Sequence, residues 1–221
     1  MHKMTTLFVH ALLSGDQFEA WRIVQMYQQH KNSSLDLYED LITQSMREIG
    51  HLWETNQITV AEEHLATSTC NFILAYHHSK RTSNILYMTE RPKAMFLCIE
   101  EEQHDIGLKL TSHLFEQSGW STKLYGANLP LDALLDAAHE WKPDIIGLSI
   151  SIPYHLVNLK KYVSQLENIE HQPTVLVGGR LVEQYDLSAH CSNKTLLIKD
   201  IKQLEEWLLN NSAGVKVNVQ H

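Results

Sequence analysis

Apolar positions change period partway along the chain. In the first 80 residues they recur at roughly helical spacing. Leu7, Ala11 and Leu12 suggest a short first helix, which Ser14-Gly15-Asp16 breaks before capping the next. Phe18, Trp21, Ile23, Val24 and Tyr27 trace a second helix, and Lys31-Asn32-Ser33-Ser34 reads as a loop with an N-cap. Leu35, Tyr38, Leu41, Ile42, Ser45, Met46, Ile49 and Trp53 trace a long third, ended by Glu54-Thr55-Asn56-Gln57. Thr59 with Glu62 forms a capping box for a fourth, which carries Ala61, Leu65, Ala66, Cys70, Ile73 and Leu74. Four amphipathic helices with short loops predict a four-helix bundle.

Beyond residue 93 short apolar runs alternate with helical patterns. Strands are predicted at 94–99, 122–126, 144–150, 174–177 and 195–198, and helices at 106–118, 131–141, 156–167, 180–186 and 200–210. That alternation predicts a flavodoxin-like, doubly wound, five-stranded parallel sheet, giving an α plus α/β chain. The expected organisation is a bundle over 1–82, a linker over 83–93, the α/β domain over 94–211 and a tail over 212–221.

Composition narrows the class. The apolar fraction of 43% is ordinary for a globular protein, and no stretch approaches the roughly 18 residues of a membrane helix. With no convincing leader cleavage site, the reading is a soluble cytoplasmic protein. A net charge of −8 argues against nucleic-acid binding by this chain alone, because phosphate contact needs clustered Lys and Arg. Cys70, Cys98 and Cys191 match neither a zinc spacing nor a disulfide framework and read as small apolar residues. Of the 14 histidines, His2, His30, His77, His78, His113 and His221 lie on polar faces or chain ends, where solvent exposure is expected.

Chemistry concentrates in Glu100-Glu101-Glu102-Gln103-His104-Asp105-Ile106-Gly107, the turn between the strand at 94–99 and the next helix. Ligands bind at such carboxyl-end turns in open α/β sheets. An exposed imidazole with a carboxylate beside it suits a metal, because the acid orients the second ring nitrogen. Gly107 would let the helix start approach something bulky.

Glu102-x-His104-Asp105-Ile106-Gly107 resembles the Asp-x-His-x-x-Gly signature of cobalamin-binding domains, whose His is the lower ligand of cobalt. Two further features support the resemblance. Ser149-Ile150-Ser151 is similar to the family's Ser-x-Leu stretch along the nucleotide-tail channel, with Ser151 standing where Leu is usual. Gly178-Gly179 is similar to the pair that makes room for dimethylbenzimidazole. The resemblance implies His104 as cobalt ligand, with Glu102, Gln103, Asp105, Ile106, Gly107, Ser149, Ser151, Gly178 and Gly179 as cofactor contacts. Departures are Glu102 for the usual Asp, Glu101 for the usual Gly, and His155 near a place where the family often has Ser. The longer Glu102 leaves its contact with His104 direct, bent or lost.

Trp53, nine residues, then Glu63-His64 resembles the motif of cobalamin-dependent photoreceptors of the light-sensing transcription-factor type. It implies that the bundle caps the upper face, with Trp53 stacking over an adenosyl ligand and Glu63 and His64 nearby. Adenosylcobalamin is the expected form and methylcobalamin the alternative; whether a bilin also binds is left open. Such photoreceptors carry a basic DNA-binding domain ahead of the bundle. This sequence begins almost at the bundle, so readout is expected through a protein effector or self-association, without nucleic acid or membrane. Glu54 follows Trp53 where a second cobalt-binding His can stand, with His51 and His64 as substitutes. The first expected function is therefore a stand-alone light sensor. The alternative is a corrinoid protein carrying methyl groups for a methyltransferase system, and a weaker third is an anti-repressor or scaffold.

Overall fold

A computed structural model describes residues 2–31, 33–82 and 91–211. Its contacts divide the chain into two units, Met1–Asn84 and Ile85–His221.

The first unit is helical. Its elements are α1 (His2–Leu13), α2 (Gln17–His30), a continuous stretch of α3 (Ser34–Asp36), a π-helical segment (Leu37–Thr43) and α4 (Gln44–Glu54), and then α5 (Val60–Thr82). The starts follow side-chain chemistry. Asp16 accepts the Glu19 N–H at 2.9 Å. Ser33 accepts the Leu35 N–H at 3.1 Å. Thr59 and Glu62 close the reciprocal box, Thr59 N–H to Glu62 at 2.7 Å and Glu62 N–H to Thr59 at 3.2 Å. One face of each helix is buried: Phe8 and Leu12; Ala20, Ile23, Val24 and Tyr27; Leu41, Ile42 and Ile49; Ala66, Cys70, Ile73 and Leu74.

Several positions expected inside this core lie outside it. Phe18 is 92% exposed. It sits about 200° around the helix from Ala20, on the side away from the buried face. Leu65 is 44% exposed, one residue ahead of the buried Ala66. Conversely, His77 and His113, expected in solvent, are buried. His77 lies between Gln28 at 3.0 Å and the Tyr38 hydroxyl at 3.4 Å. Burial, with the cationic Arg81 nearby, pushes its imidazole down to about 4, so it is neutral at pH 7.

The second unit is α/β. Its elements are β1 (Lys93–Ile99), α6 (Ile106–Gln117), β2 (Ser121–Leu129), α7 (Leu131–Trp141), β3 (Ile145–Ser149), a 3₁₀ turn (Pro153–His155), α8 (Leu156–Glu167), β4 (Thr174–Gly178), α9 (Arg180–Gln184), β5 (Leu196–Leu197) and α10 (Ile201–Asn211). The strands pair in parallel in the order β2-β1-β3-β4-β5, the doubly wound order anticipated from the sequence. The expected tail and most of the expected linker fall outside the described residues.

β1 lies inside the sheet, between β2 and β3, and is buried on both faces. Met95, Leu97 and Ile99 join Leu134, Leu148, Leu159, Val163 and Val177 in one core. Phe96 points the other way, edge-on to Phe115 at 4.9 Å between ring centres, and Phe115 contacts Trp120 and Trp207. Gly147 on β3 makes room for that ring; a Cβ there would stand 2.5 Å from Phe96 Cδ1. The order reverses between β1 and β3, so their carboxyl ends open the crevice in which this fold class binds ligands.

Gly147→Ala should destabilise the α/β unit by about 1–3 kcal/mol through overpacking against Phe96. Denaturant unfolding checks this, and adding Phe96→Leu to the variant should recover part of the loss.

Candidate functional site

The turn after β1 is built around a buried carboxylate. Glu101 adopts a left-handed conformation, φ 69°, which accounts for glycine being usual there. Its N–H donates to the Asn128 side chain at 2.8 Å, and Asn128 returns its own N–H to the Glu102 carbonyl at 3.0 Å. Tyr162 adds a second brace: its hydroxyl donates to the Leu129 carbonyl at 2.7 Å and accepts the Glu100 N–H at 3.1 Å.

The Glu102 side chain is fully buried, and each oxygen serves a different loop. Oε1 accepts the Gln103 and His104 N–H groups at 3.0 and 3.1 Å and the His104 ring Nδ1–H at 2.6 Å. Oε2 takes the Ser151 and Ile152 N–H groups, at 2.7 and 3.3 Å, and the His155 ring Nδ1 at 3.4 Å. The contact with His104 is thus direct, and the one carboxylate ties the β1–α6 turn to the loop after β3. Burial alone would raise its pKa. The His104 ring and the backbone N–H donors outweigh burial and hold the carboxyl at about 2, so it is ionised.

The His104 side chain is about half exposed while its partner is buried. With Nδ1–H committed to Glu102, a metal held by this ring would take Nε2. Among the described residues no cluster of three or more His, Cys, Asp or Glu could hold a bare ion. A single imidazole would suit a metal that arrives already bound within a cofactor.

Asp105 occupies the N-cap position of α6 without a capping bond, and its carboxylate pairs with Lys109 at 2.7 Å. Gln103 is exposed and Ile106 half-buried. A Cβ on Gly107 would meet nothing within 4 Å, so the helix start presents an open, side-chain-free surface where a broad ligand fits. Ser149 is buried at the end of β3, in register with Cys98 of β1, and Ser151 is half-buried. Burial pushes the Cys98 thiol up to about 12. Gly178 has only ordinary clearance. Gly179 answers to the protein itself: at φ 112° its Cβ would stand 2.2 Å from the Ile150 carbonyl oxygen.

Within the helical unit, Trp53 lies in the last turn of α4 and is 48% exposed. Glu63 and His64 stand in the first turn of α5, joined by a 2.9 Å contact, and Glu63 also accepts the Thr67 hydroxyl at 2.8 Å.

The structure thus assembles Glu102, His104, the Ser151 backbone and His155 into one network. Asn128, Ile152 and Tyr162 belong to it too, although the sequence reading did not name them. Asn128 carried a turn-former's signal at the end of a strand pattern; the Ile152 contact is through backbone and left no trace in sequence.

Glu102 should contribute stability in full above its unfolded pKa of 4.5 and lose that contribution as pH falls towards about 2. Unfolding of the protein without cofactor should show Glu102→Gln less stable than wild type by about 3 kcal/mol at pH 7. The gap should narrow by more than half at about pH 3; a gap independent of pH would contradict an ionised carboxylate.

Residues 92–190 match a family model described as B12 binding domain, and residues 6–77 match a second model of that description. Together they span over three quarters of the chain. Among curated proteins, the chain is 25% identical over 118 residues to the HTH-type transcriptional repressor CarH of Myxococcus xanthus, covering 52% of this chain and 37% of that protein. The chain therefore spans little more than a third of that relative. It is 21% identical over 175 residues to a corrinoid protein of Desulfitobacterium hafniense (strain Y51), covering 76% of this chain and 80% of the relative. The solved monomethylamine corrinoid protein of Methanosarcina barkeri shares the fold at a TM-score of 0.70 and 15% identity, covering 92% of this chain and 95% of that one. No helix among the described residues is long and apolar enough to cross a membrane. With both its helical and its α/β segments matched by B12 binding domain models, and with a carboxylate-held imidazole at the β1–α6 turn, this chain belongs to the cobalamin-binding proteins.

Proposed function

We propose that the protein works as a corrinoid protein of a methyl-transfer system, holding cobalamin and presenting its cobalt-borne group to a partner methyltransferase. The observation that carries this reading is the extent of the match: the Desulfitobacterium hafniense corrinoid protein corresponds to 76% of this chain and 80% of its own. The M. xanthus repressor is matched over a far smaller share of its length. When bound, the corrin cobalt supplies the chemistry, accepting and releasing an alkyl group. The protein's own residues bind and orient. His104 would hold the cobalt through its ring, with Glu102 fixing the ring's tautomer and direction and supplying a balancing negative charge. Gly107 leaves the α6 start open where the corrin would lie, and Ser149, Ser151 and Gly178, at the carboxyl ends of β3 and β4, would contact the nucleotide tail.

A second reading, a light-responsive regulator, is favoured by one observation: the Trp53, Glu63 and His64 motif, with Trp53 half-exposed at the end of α4. In that reading Trp53 covers an adenosyl ligand, and its loss on illumination changes partner binding.

Green light separates the two. Under the carrier reading, protein loaded with adenosylcobalamin elutes at the same volume before and after illumination, and Trp53→Ala retains adenosyl- and methylcobalamin equally well. A light-dependent shift in elution, together with selective loss of adenosylcobalamin from Trp53→Ala, would overturn it in favour of the sensor.

A further inference from the structure

The helical unit carries an apolar face that its own core does not use. Along α5, Leu65, Phe72 and Tyr76 fall on one side of the helix and are 44%, 45% and 37% exposed. Phe72 and Tyr76 stack nearly parallel, 7° between planes. Trp21 of α2 packs edge-on against Tyr76 at 4.7 Å, and exposed Phe18 lies one turn before Trp21 on the same helix. Soluble chains seldom leave so many large apolar side chains together without a partner.

The charges on α5 say which partner fits. The helix has 23 residues, about 34 Å of length. Its first turn is acidic, with Glu62 and Glu63, and its last is basic, with Lys80 and Arg81. The apolar positions lie between these ends. A helix so arranged complements an antiparallel copy of itself. With a two-fold axis passing near residues 70 and 71, Leu65 meets the partner copy's Tyr76, and Phe72 packs beside its own counterpart across the axis. Glu62 then lies opposite the second copy's Lys80, and the two helix dipoles oppose favourably. Such an isologous contact closes on itself and stops at two copies.

We propose that the outer face of α5, flanked by Phe18 and Trp21, is the surface through which two copies of this chain associate. The contact draws on residues of the helical unit alone, so it is independent of which function the β1–α6 turn serves.

Sedimentation velocity of the full chain, loaded with hydroxocobalamin and run in the dark from 1 to 200 µM, tests it. Wild type should shift from monomer to dimer mass across that range. Phe72→Glu should remain monomeric with unchanged helix content by circular dichroism. Lys80→Glu, and Glu62→Lys, which also loses the Thr59 capping box and is checked for retained helix content, should each weaken association at least fivefold. An equimolar mixture of those two variants should dimerise again, because the lysines of one variant then face the glutamates of the other at both ends of the contact. A monomeric wild type throughout would overturn the proposal and assign the face to a different protein. So would a dimer that Phe72→Glu leaves intact, or a mixture that fails to recover association while both variants stay folded.

Discussion

A single buried anion organises the functional end of this molecule. Glu102 has no exposed surface, so its charge is tolerable only because six donors surround it. Four are backbone N–H groups, two from the β1–α6 turn and two from the loop after β3; the others are the rings of His104 and His155. The carboxylate therefore does structural and chemical work with the same atoms. It clamps two loops across the point where strand order reverses, and it fixes the tautomer and orientation of the His104 ring.

Family resemblance and physical cause agree closely at this turn, and where the chain departs from the usual pattern it compensates. Glu101 stands in a left-handed conformation that favours glycine, and Asn128 holds its N–H there. Glu102, in place of the usual Asp, bonds both loops through its two oxygens. His155 occupies the far oxygen, where the family often has a hydroxyl, so the second side of the carboxylate keeps a ring N–H. The glycine pair at the end of β4 divides its tasks: Gly179 is demanded by the Ile150 carbonyl, while a Cβ at Gly178 would make ordinary contact with the Ile198 carbonyl.

Much of this was readable from residue order. Parallel strands buried on both faces are nearly continuous apolar runs, as at 95–99, 145–149 and 175–177, so β1, β3 and β4 were legible, while β2 and β5, less buried, were placed by the alternation with helices. Helix starts were legible because Asp16, Ser33 and Thr59 cap by local contacts alone. The misses needed tertiary information. Phe18 fits a helical period loosely but lies on the wrong side of it, and His77 is buried because Gln28 and Tyr38, far away in sequence, come to meet it. The π-helical segment at Leu37–Thr43 leaves the apolar pattern intact while changing the turn. The corrinoid relatives, too, moved the functional balance from light sensing towards group carriage, a distinction that no residue of the β1–α6 turn encodes.

The claim beneath all of this is that a protein imidazole, held by Glu102, ligates cobalt from below. Electron paramagnetic resonance of the reduced, Co(II) form of the loaded protein, prepared with ¹⁵N-labelled histidine, tests it most directly. The account predicts axial nitrogen splitting that changes from the three-line ¹⁴N pattern to the two-line ¹⁵N pattern on labelling, and that His104→Ala abolishes. An unlabelled three-line pattern that persists in both samples would show that the cofactor's own base keeps its place, and would contradict the account.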